Sequence, residues 1–189
     1  MNVDDLQFAV ASADHTPSIT AFDCGPEPWA TDVRDFLCDD AIGNQTARLG
    51  MTYLFFLANA SESRLVGFVT LLASEVRRKD WSLLEVLKRE DIDYPSVPAV
   101  LIGQLGVDVS FQGTGAGKAI LAWVRSMTTD LNIGARLLAV HVNVKNARAT
   151  AFYERESFEK APVKAGRNLQ LMLFDLRVSE GSAKPSERV

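Results

Sequence analysis

Gly106-Val107-Asp108-Val109-Ser110-Phe111-Gln112-Gly113-Thr114-Gly115-Ala116-Gly117-Lys118 sets three glycines at alternate positions, 113, 115 and 117, between two apolar segments. The apolar run from Val100 to Val109 leads into it and reads as a strand, with Gly103 and Gly106 marking a bulge or a close approach to its backbone. A helix leaves it, because Ala119, Ile120, Trp123, Val124, Met127 and Leu131 recur at helical spacing until Gly134. The first turn of a helix has unpaired N–H groups and a partial positive charge. Glycines let the chain bend sharply there and let a ligand come close. A strand, a glycine-rich turn and a helix in this order make an anion site suited to a phosphate or pyrophosphate.

Three ligand classes use such a site. A Walker A loop needs GxxxxGK followed by Ser or Thr, but Gln112 stands at its first position and Ala119 at its last. A dinucleotide fingerprint needs GxGxxG; counted from Gly113 it ends on Lys118, and from Gly115 on Ile120. The pattern Gln/Arg-x-x-Gly-x-Gly/Ala fits without adjustment at Gln112, Gly115 and Gly117.

Outward from the loop, the spacing predicts strands at Leu6–Val10, Met51–Ala58, Leu65–Ala73, Leu137–Val142 and Leu169–Leu176. It predicts helices at Trp29–Ala41 and Ala147–Glu156, and a short one through Trp81, Leu84, Leu87 and Lys88 that ends before Tyr94-Pro95. Asn59 to Ser63 reads as the turn of an antiparallel hairpin. Early hairpins followed by a strand–loop–helix–strand unit give an α/β fold, a single mixed sheet flanked by helices. One domain over residues 1–178 is expected, with a polar, disordered tail over 179–189.

Bulk properties narrow the function. Of 189 residues, 47% are apolar and 23% charged, an ordinary composition for a water-soluble chain. No apolar run is long enough to span a bilayer, and the acidic start Met1-Asn2-Val3-Asp4-Asp5 is unlike a signal peptide, so a cytoplasmic protein without a membrane partner is expected. Cys24 and Cys38 are then free thiols. His15 and His141 lie far apart with no ligand spacing around them, so no metal site is expected. The net charge of −4 argues against a surface that binds nucleic acid all over, although Arg77-Arg78-Lys79 with Lys88 and Arg89 offers a local basic patch.

The Gln112–Gly117 loop resembles that of the GNAT acetyltransferases. A second motif strengthens the likeness: Asn146-Ala147-Arg148-Ala149-Thr150-Ala151-Phe152-Tyr153-Glu154-Arg155-Glu156-Ser157-Phe158 is similar to the family's Asn…Ala…FYxxxGF helix, one helix and one strand downstream. The resemblance implies the GNAT fold, with a splayed strand pair holding acetyl-CoA. It places the pyrophosphate on Gln112, Gly113, Thr114, Gly115, Ala116, Gly117 and Lys118, and the pantetheine arm on Leu105, Gly106 and Val107. It implies direct transfer of acetyl to a primary amine, with the oxyanion held by backbone N–H near Val107 and with Tyr153 as the acid that protonates the leaving thiolate. Asn146 either reaches the pantetheine or caps its helix. Ser157 stands where the family has Gly, so a slightly altered helix exit is expected. For the base that deprotonates the amine, Asp108 and His141 are the candidates by position, against a solvated turn carboxylate and a core histidine; a path through water, or none, stays open.

Phe22-Asp23-Cys24-Gly25 leading a helix with Phe36, Leu37 and Ala41, the strand Arg64–Leu71, and Tyr94–Asp108 entering the cofactor strand extend the likeness. Over about residues 20 to 176 the chain thus also looks like the toxin branch of this family, whose members acetylate the amino group of aminoacyl-tRNA and pair with a short DNA-binding antitoxin. That likeness implies a charged-tRNA acceptor and an antitoxin partner. Gln104, standing where the toxins commonly carry Arg, and the acidic balance depart from it. The alternatives are a GNAT acting on a small-molecule or protein amine, and a non-catalytic acyl-CoA-binding module. The strand at Leu169–Leu176 offers an edge for a homodimer.

Overall fold

Alternating apolar residues form the first strand where the sequence places it, β1 at Leu6–Val10. The computed structural model describes residues 1–58, 64–77, 80, 94–130, 134–162 and 168–177. After β1 come α1 (Thr16–Thr20), α2 (Pro28–Asp35), a π-helical turn (Phe36–Asp40), α3 (Ala41–Thr46), β2 (Met51–Leu57) and β3 (Leu65–Arg77). Then follow β4 (Ser96–Val107), α4 (Ala116–Asp130), β5 (Leu137–Asn143), α5 (Ala147–Arg155), β6 (Glu159–Lys160) and β7 (Leu169–Asp175). The strands form one mixed seven-stranded sheet in the order β1-β2-β3-β4-β5-β7-β6. By internal contacts the chain divides into two units, Met1–Ala73 with Leu101–Met127, and Ser74–Val100 with Thr128–Val189. Among the described residues no helix is long and apolar enough to cross a membrane.

In the first unit, β1 pairs antiparallel with β2, Phe8 opposite Phe55, and β2 pairs antiparallel with β3. Side chains alternate across a strand, so β2 serves two layers. Leu54 and Phe56 join Ile19, Phe22, Leu37, Ala41 and Phe68 in one buried cluster. Tyr53 and Phe55, with Phe8 from β1, surround Trp123 of α4 at ring separations of 4.9, 5.1 and 4.7 Å. The helix expected to end at Ala41 runs on to Thr46 through the π turn. Its last turn, Gly43-Asn44-Gln45-Thr46, has no apolar stripe to betray it. Gln45 holds it instead, donating to Ala11 O at 3.0 Å and accepting from Thr52 N–H at 3.3 Å.

In the second unit, β5 and β7 pair antiparallel along their whole length, and β6 adds a two-residue edge to β7. Arg136 closes one end by donating two bonds to Asp175 at 2.8 Å each. The helix exit keeps its left-handed turn although glycine is missing: Ser157 has φ +64°. Phe158 N–H donates to Tyr153 O at 2.9 Å and Ser157 N–H to Glu154 O at 3.0 Å, which closes the last carbonyls of α5. The altered exit expected from the sequence is therefore not what the chain does; it retains the geometry and accepts the strain. Ser157→Gly is expected to raise stability by about 1 kcal/mol, less the extra freedom glycine has when unfolded. A thermal melt checks this, with a gain in Tm of about 2–4 °C expected.

The strand expected at Val100–Val109 is shifted toward the N-terminus. It starts at Ser96 because Pro98, which lacks an N–H, still offers its carbonyl to Arg136 N–H at 2.9 Å. It stops at Val107 because Asp108 turns the chain into a 3-10 turn, Val109–Phe111. The expected turn at Asn59–Ser63, the helix through Trp81 to Lys88, the basic residues Arg78, Lys79, Lys88 and Arg89, and the tail from Ser179 lie outside the described residues; Arg77 is exposed.

Candidate active site

The glycine loop belongs to the first unit. Gly113 and Gly115 have φ of +80° and +92°, values that side chains rarely permit, so both turns require glycine. Gln112 and Thr114 use their own N–H groups inside the turn, on Val109 O and Phe111 O, each at 3.4 Å. Among the described residues the N–H groups of Gly113, Gly115, Ala116, Gly117 and Lys118 donate to no protein group. Open donors thus converge at the start of the fifteen-residue helix α4, whose dipole adds positive potential there. The Lys118 side chain is exposed on the first turn, while Ala116 is buried beneath it.

The side chain of Gln112 is engaged within the protein. Its Nε2 donates to Cys24 O at 2.9 Å and to Val107 O at 3.0 Å, tying the loop to the end of β4 and to the turn after α1. The carbonyl of Val107 thus already accepts one hydrogen bond from within the chain. Asp108, a candidate base in the sequence, is 6% exposed and not a solvated turn carboxylate. It accepts from Ser110 N–H at 3.0 Å and from Asp23 N–H at 3.2 Å, with Arg64 3.8 Å away. A carboxylate so engaged is poorly placed to take a proton from an amine. Burial, with the Asp23 and Asp108 carboxylates adding to it, pushes the Cys24 thiol up to about 12, so it stays a neutral packing group.

Two glycines let β3 and β4 approach each other. A Cβ at Gly67 would lie 2.6 Å from Gly106 O and 2.8 Å from Ile120 Cδ1. A Cβ at Gly106 would lie 2.6 Å from Phe68 Cε1 and 3.0 Å from Val33 Cγ1. Leu105 and Val107, on either side of Gly106, are half-buried. Gly67→Ala is expected to cost about 1–3 kcal/mol, because backbone cannot move aside as a flexible side chain would. Chemical denaturation checks this: a lower midpoint is expected at unchanged m-value.

The second unit carries the other motif. Tyr153 of α5 is 5% exposed, packed edge-on between Phe152 and Phe158 at ring separations of 5.1 Å each. Burial pushes its phenol well above the ordinary range, which keeps the proton on the oxygen at neutral pH. Its hydroxyl makes no hydrogen bond to a described group. Phe152 is half-buried. Asn146 acts as the helix cap: its Oδ1 accepts from Ala149 N–H at 2.9 Å, which decides one half of the choice left by the sequence. His141 is exposed on β5 between buried Val140 and Val142, so it is not a core histidine.

Three features of the site were not read from the sequence. The Asp108–Asp23 and Gln112–Cys24 links join segments more than eighty positions apart, for which no local pattern exists. Arg64 lies over the Phe111 ring at 5.1 Å and donates to Ser110 Oγ at 2.6 Å. Met1 donates its ammonium N–H to Thr114 O at 2.8 Å, and its backbone lies 3.3–3.4 Å from where a Gly115 Cβ would stand. Among the described residues no group of His, Cys, Asp and Glu is placed to hold a metal ion.

Comparison with known proteins gives a match over residues 20–158 to the model of the acetyltransferase (GNAT) family. Among solved structures the chain is similar to a tyrosine-to-phenylalanine mutant of KacT, at 25% identity and a TM-score of 0.75 over 95% of this chain and 99% of that one. It is similar in fold to AtaT complexed with acetyl-methionyl-tRNAfMet, at 24% identity and a TM-score of 0.75 over 94% and 99%. It is also similar in fold to a tyrosine-to-phenylalanine mutant of the toxin AtaT bound to the C-terminus of the antitoxin AtaR and acetyl-CoA, at 22% identity and a TM-score of 0.70 over 95% and 98%.

Proposed function

Because the chain belongs to the acetyltransferase (GNAT) family, whose activity is acetyl-CoA-dependent, we propose that it moves acetyl to the free amino group of an aminoacyl-tRNA. The observation that carries the cofactor half of this reading is the set of open N–H groups from Gly113 to Lys118 at the head of α4. They suit a pyrophosphate, which offers several oxygens and no donors. Bound acetyl-CoA supplies a thioester carbonyl open to attack by a neutral amine. The chain's residues hold and orient it: the loop takes the phosphates, and Leu105, Gly106 and Val107 run along the pantetheine arm. Asn146, with Oδ1 held by its cap, keeps Nδ2 as the donor it can offer that arm. Orientation of the two reactants supplies much of the rate.

Tyr153 is the acid. Its phenol gives its proton to the thiolate as the bond to carbon breaks. With both Asp108 oxygens engaged, the amine loses its proton to water or through the exposed His141.

The likeness to AtaT complexed with acetyl-methionyl-tRNAfMet supports charged tRNA as acceptor. An antitoxin partner belongs to the same reading, as AtaR does to AtaT. A small-molecule or protein amine is the second reading, favoured by Gln104 in place of a cation and by exposed Glu27, Asp32, Asp35, Asp39 and Asp40 around α2. Incubation of the full chain with labelled acetyl-CoA, bulk aminoacylated tRNA and, in parallel, free amines decides between them. Label on tRNA, falling steeply with added salt, is expected. Label on free amines alone would replace the acceptor, and label on neither with cofactor still bound would favour a non-catalytic acyl-CoA module.

A further inference from the structure

We infer that Asp108 is a positioning residue for the cofactor, which fixes the entry of the glycine loop against the turn at Phe22–Gly25, with Arg64 holding its carboxylate. This rests on the reading of the loop as the acetyl-CoA site. Asp108 sits where β4 ends and the chain turns toward Gln112, and its main chain is anchored by donation from its N–H to Val66 O at 2.9 Å. Its two oxygens serve two different segments. Oδ1 accepts from Ser110 N–H in the 3-10 turn at 3.0 Å, and Oδ2 accepts from Asp23 N–H at 3.2 Å. Asp23 answers through its carbonyl, which accepts from Val109 N–H at 2.7 Å. Three residues beyond Val109, the Gln112 amide reaches the same turn at Cys24 O.

The arrangement needs a carboxylate. Two backbone N–H groups point at one side chain from opposite segments, and a side chain with one acceptor oxygen would leave the second N–H facing a donor. A carboxylate this deeply buried is costly unless charge-assisted hydrogen bonds and an opposite charge compensate it. Arg64 supplies that charge from a largely exposed position, 3.8 Å from Oδ1, and is itself held by Ser110 Oγ and the Phe111 ring. The turn bonds from Gln112 and Thr114 N–H are long, at 3.4 Å, so they orient the loop weakly. Its direction is set at the entry, where Asp108 stands. Displacing Ser110 and Phe111 moves the open donors of Gly113 to Lys118 away from the places where phosphate oxygens must sit, although none of these residues is altered.

The test is calorimetric titration of the full chain with acetyl-CoA, which needs no acceptor, with a thermal melt of each variant. Asp108→Asn is expected to weaken binding by about tenfold or more, since one charged hydrogen bond is lost and one donor is left facing another. Arg64→Ala is expected to weaken it by about threefold and, in the Asp108→Asn background, to add nothing. Unchanged affinity with a lowered Tm in Asp108→Asn would overturn the inference and leave a structural carboxylate. An independent Arg64 effect in the double variant would overturn the link between the two. If Asp108→Asn does not fold, Arg64→Ala alone decides: a weakened affinity at wild-type Tm supports the inference, and an unchanged one overturns it. Failure of the wild-type chain to bind acetyl-CoA would instead remove the loop assignment on which the inference stands.

Discussion

Gly115→Glu is expected to lower the affinity for acetyl-CoA by about a hundredfold or more, from strain, bulk and charge acting together. The backbone at Gly115 has φ +92°, which costs any side chain strain before contacts are counted. The new side chain would start 3.3 Å from the Met1 carbonyl oxygen, so it must turn toward the open face of the loop. There its carboxylate meets the pyrophosphate, and like charges repel across a site built from N–H donors. Gly113→Ala separates the terms, because Gly113 has φ +80° with nothing within 4 Å of an added Cβ. It introduces strain without bulk or charge, and a loss of no more than about tenfold is expected. Titration with acetyl-CoA checks both. Equal losses in the two variants would mean that backbone strain alone explains the result and that no phosphate lies at Gly115.

The second large effect concerns Tyr153. Tyr153→Phe is expected to lower kcat by about 10²- to 10³-fold, the range for losing a general acid, while leaving acetyl-CoA affinity within about threefold of wild type. The packing against Phe152 and Phe158 does not use the hydroxyl, which bonds to no described group, so the fold should tolerate its removal. Removing a hydroxyl that lacks a partner is neutral or mildly stabilising. A drop in kcat with an unchanged melt therefore isolates the proton. Retention of the full rate would remove Tyr153 from the mechanism and leave it as an aromatic packed between Phe152 and Phe158.

What could be read from the sequence followed from local periodicity. β1 has the bounds its alternation predicts, although Phe8 and Val10 stay exposed, and β2, β5, α5 and β7 lie within a residue of theirs, because runs of apolar residues mark them. The glycine loop was legible for a similar reason: positive φ at Gly113 and Gly115 selects glycine and writes the geometry into the residue types. Ser157 shows the limit of that logic. The left-handed exit at φ +64° persists without glycine because Phe158 N–H closes onto Tyr153 O and the two rings pack together.

The parts of the site that escaped are those held by distant partners. Asp108 looks like any turn aspartate until Asp23 and Arg64 are brought beside it. The Gln112 amide bonds to Cys24 O and Val107 O, the first of them a partner that no local pattern reveals. The π turn and the extension to Thr46 escaped because Gln45 anchors that helix by polar bonds, which leave no period in the sequence.

Amide hydrogen exchange with and without acetyl-CoA reads the backbone N–H groups of the glycine loop one by one. Cofactor is expected to protect Gly113, Gly115, Ala116, Gly117 and Lys118 strongly, since these donate to no described protein group before it binds. Gln112 and Thr114, already bonded within the turn, should change less. Saturating acetyl-CoA that leaves Gly113 to Lys118 exchanging as in the free chain would contradict the assignment and place the phosphates elsewhere.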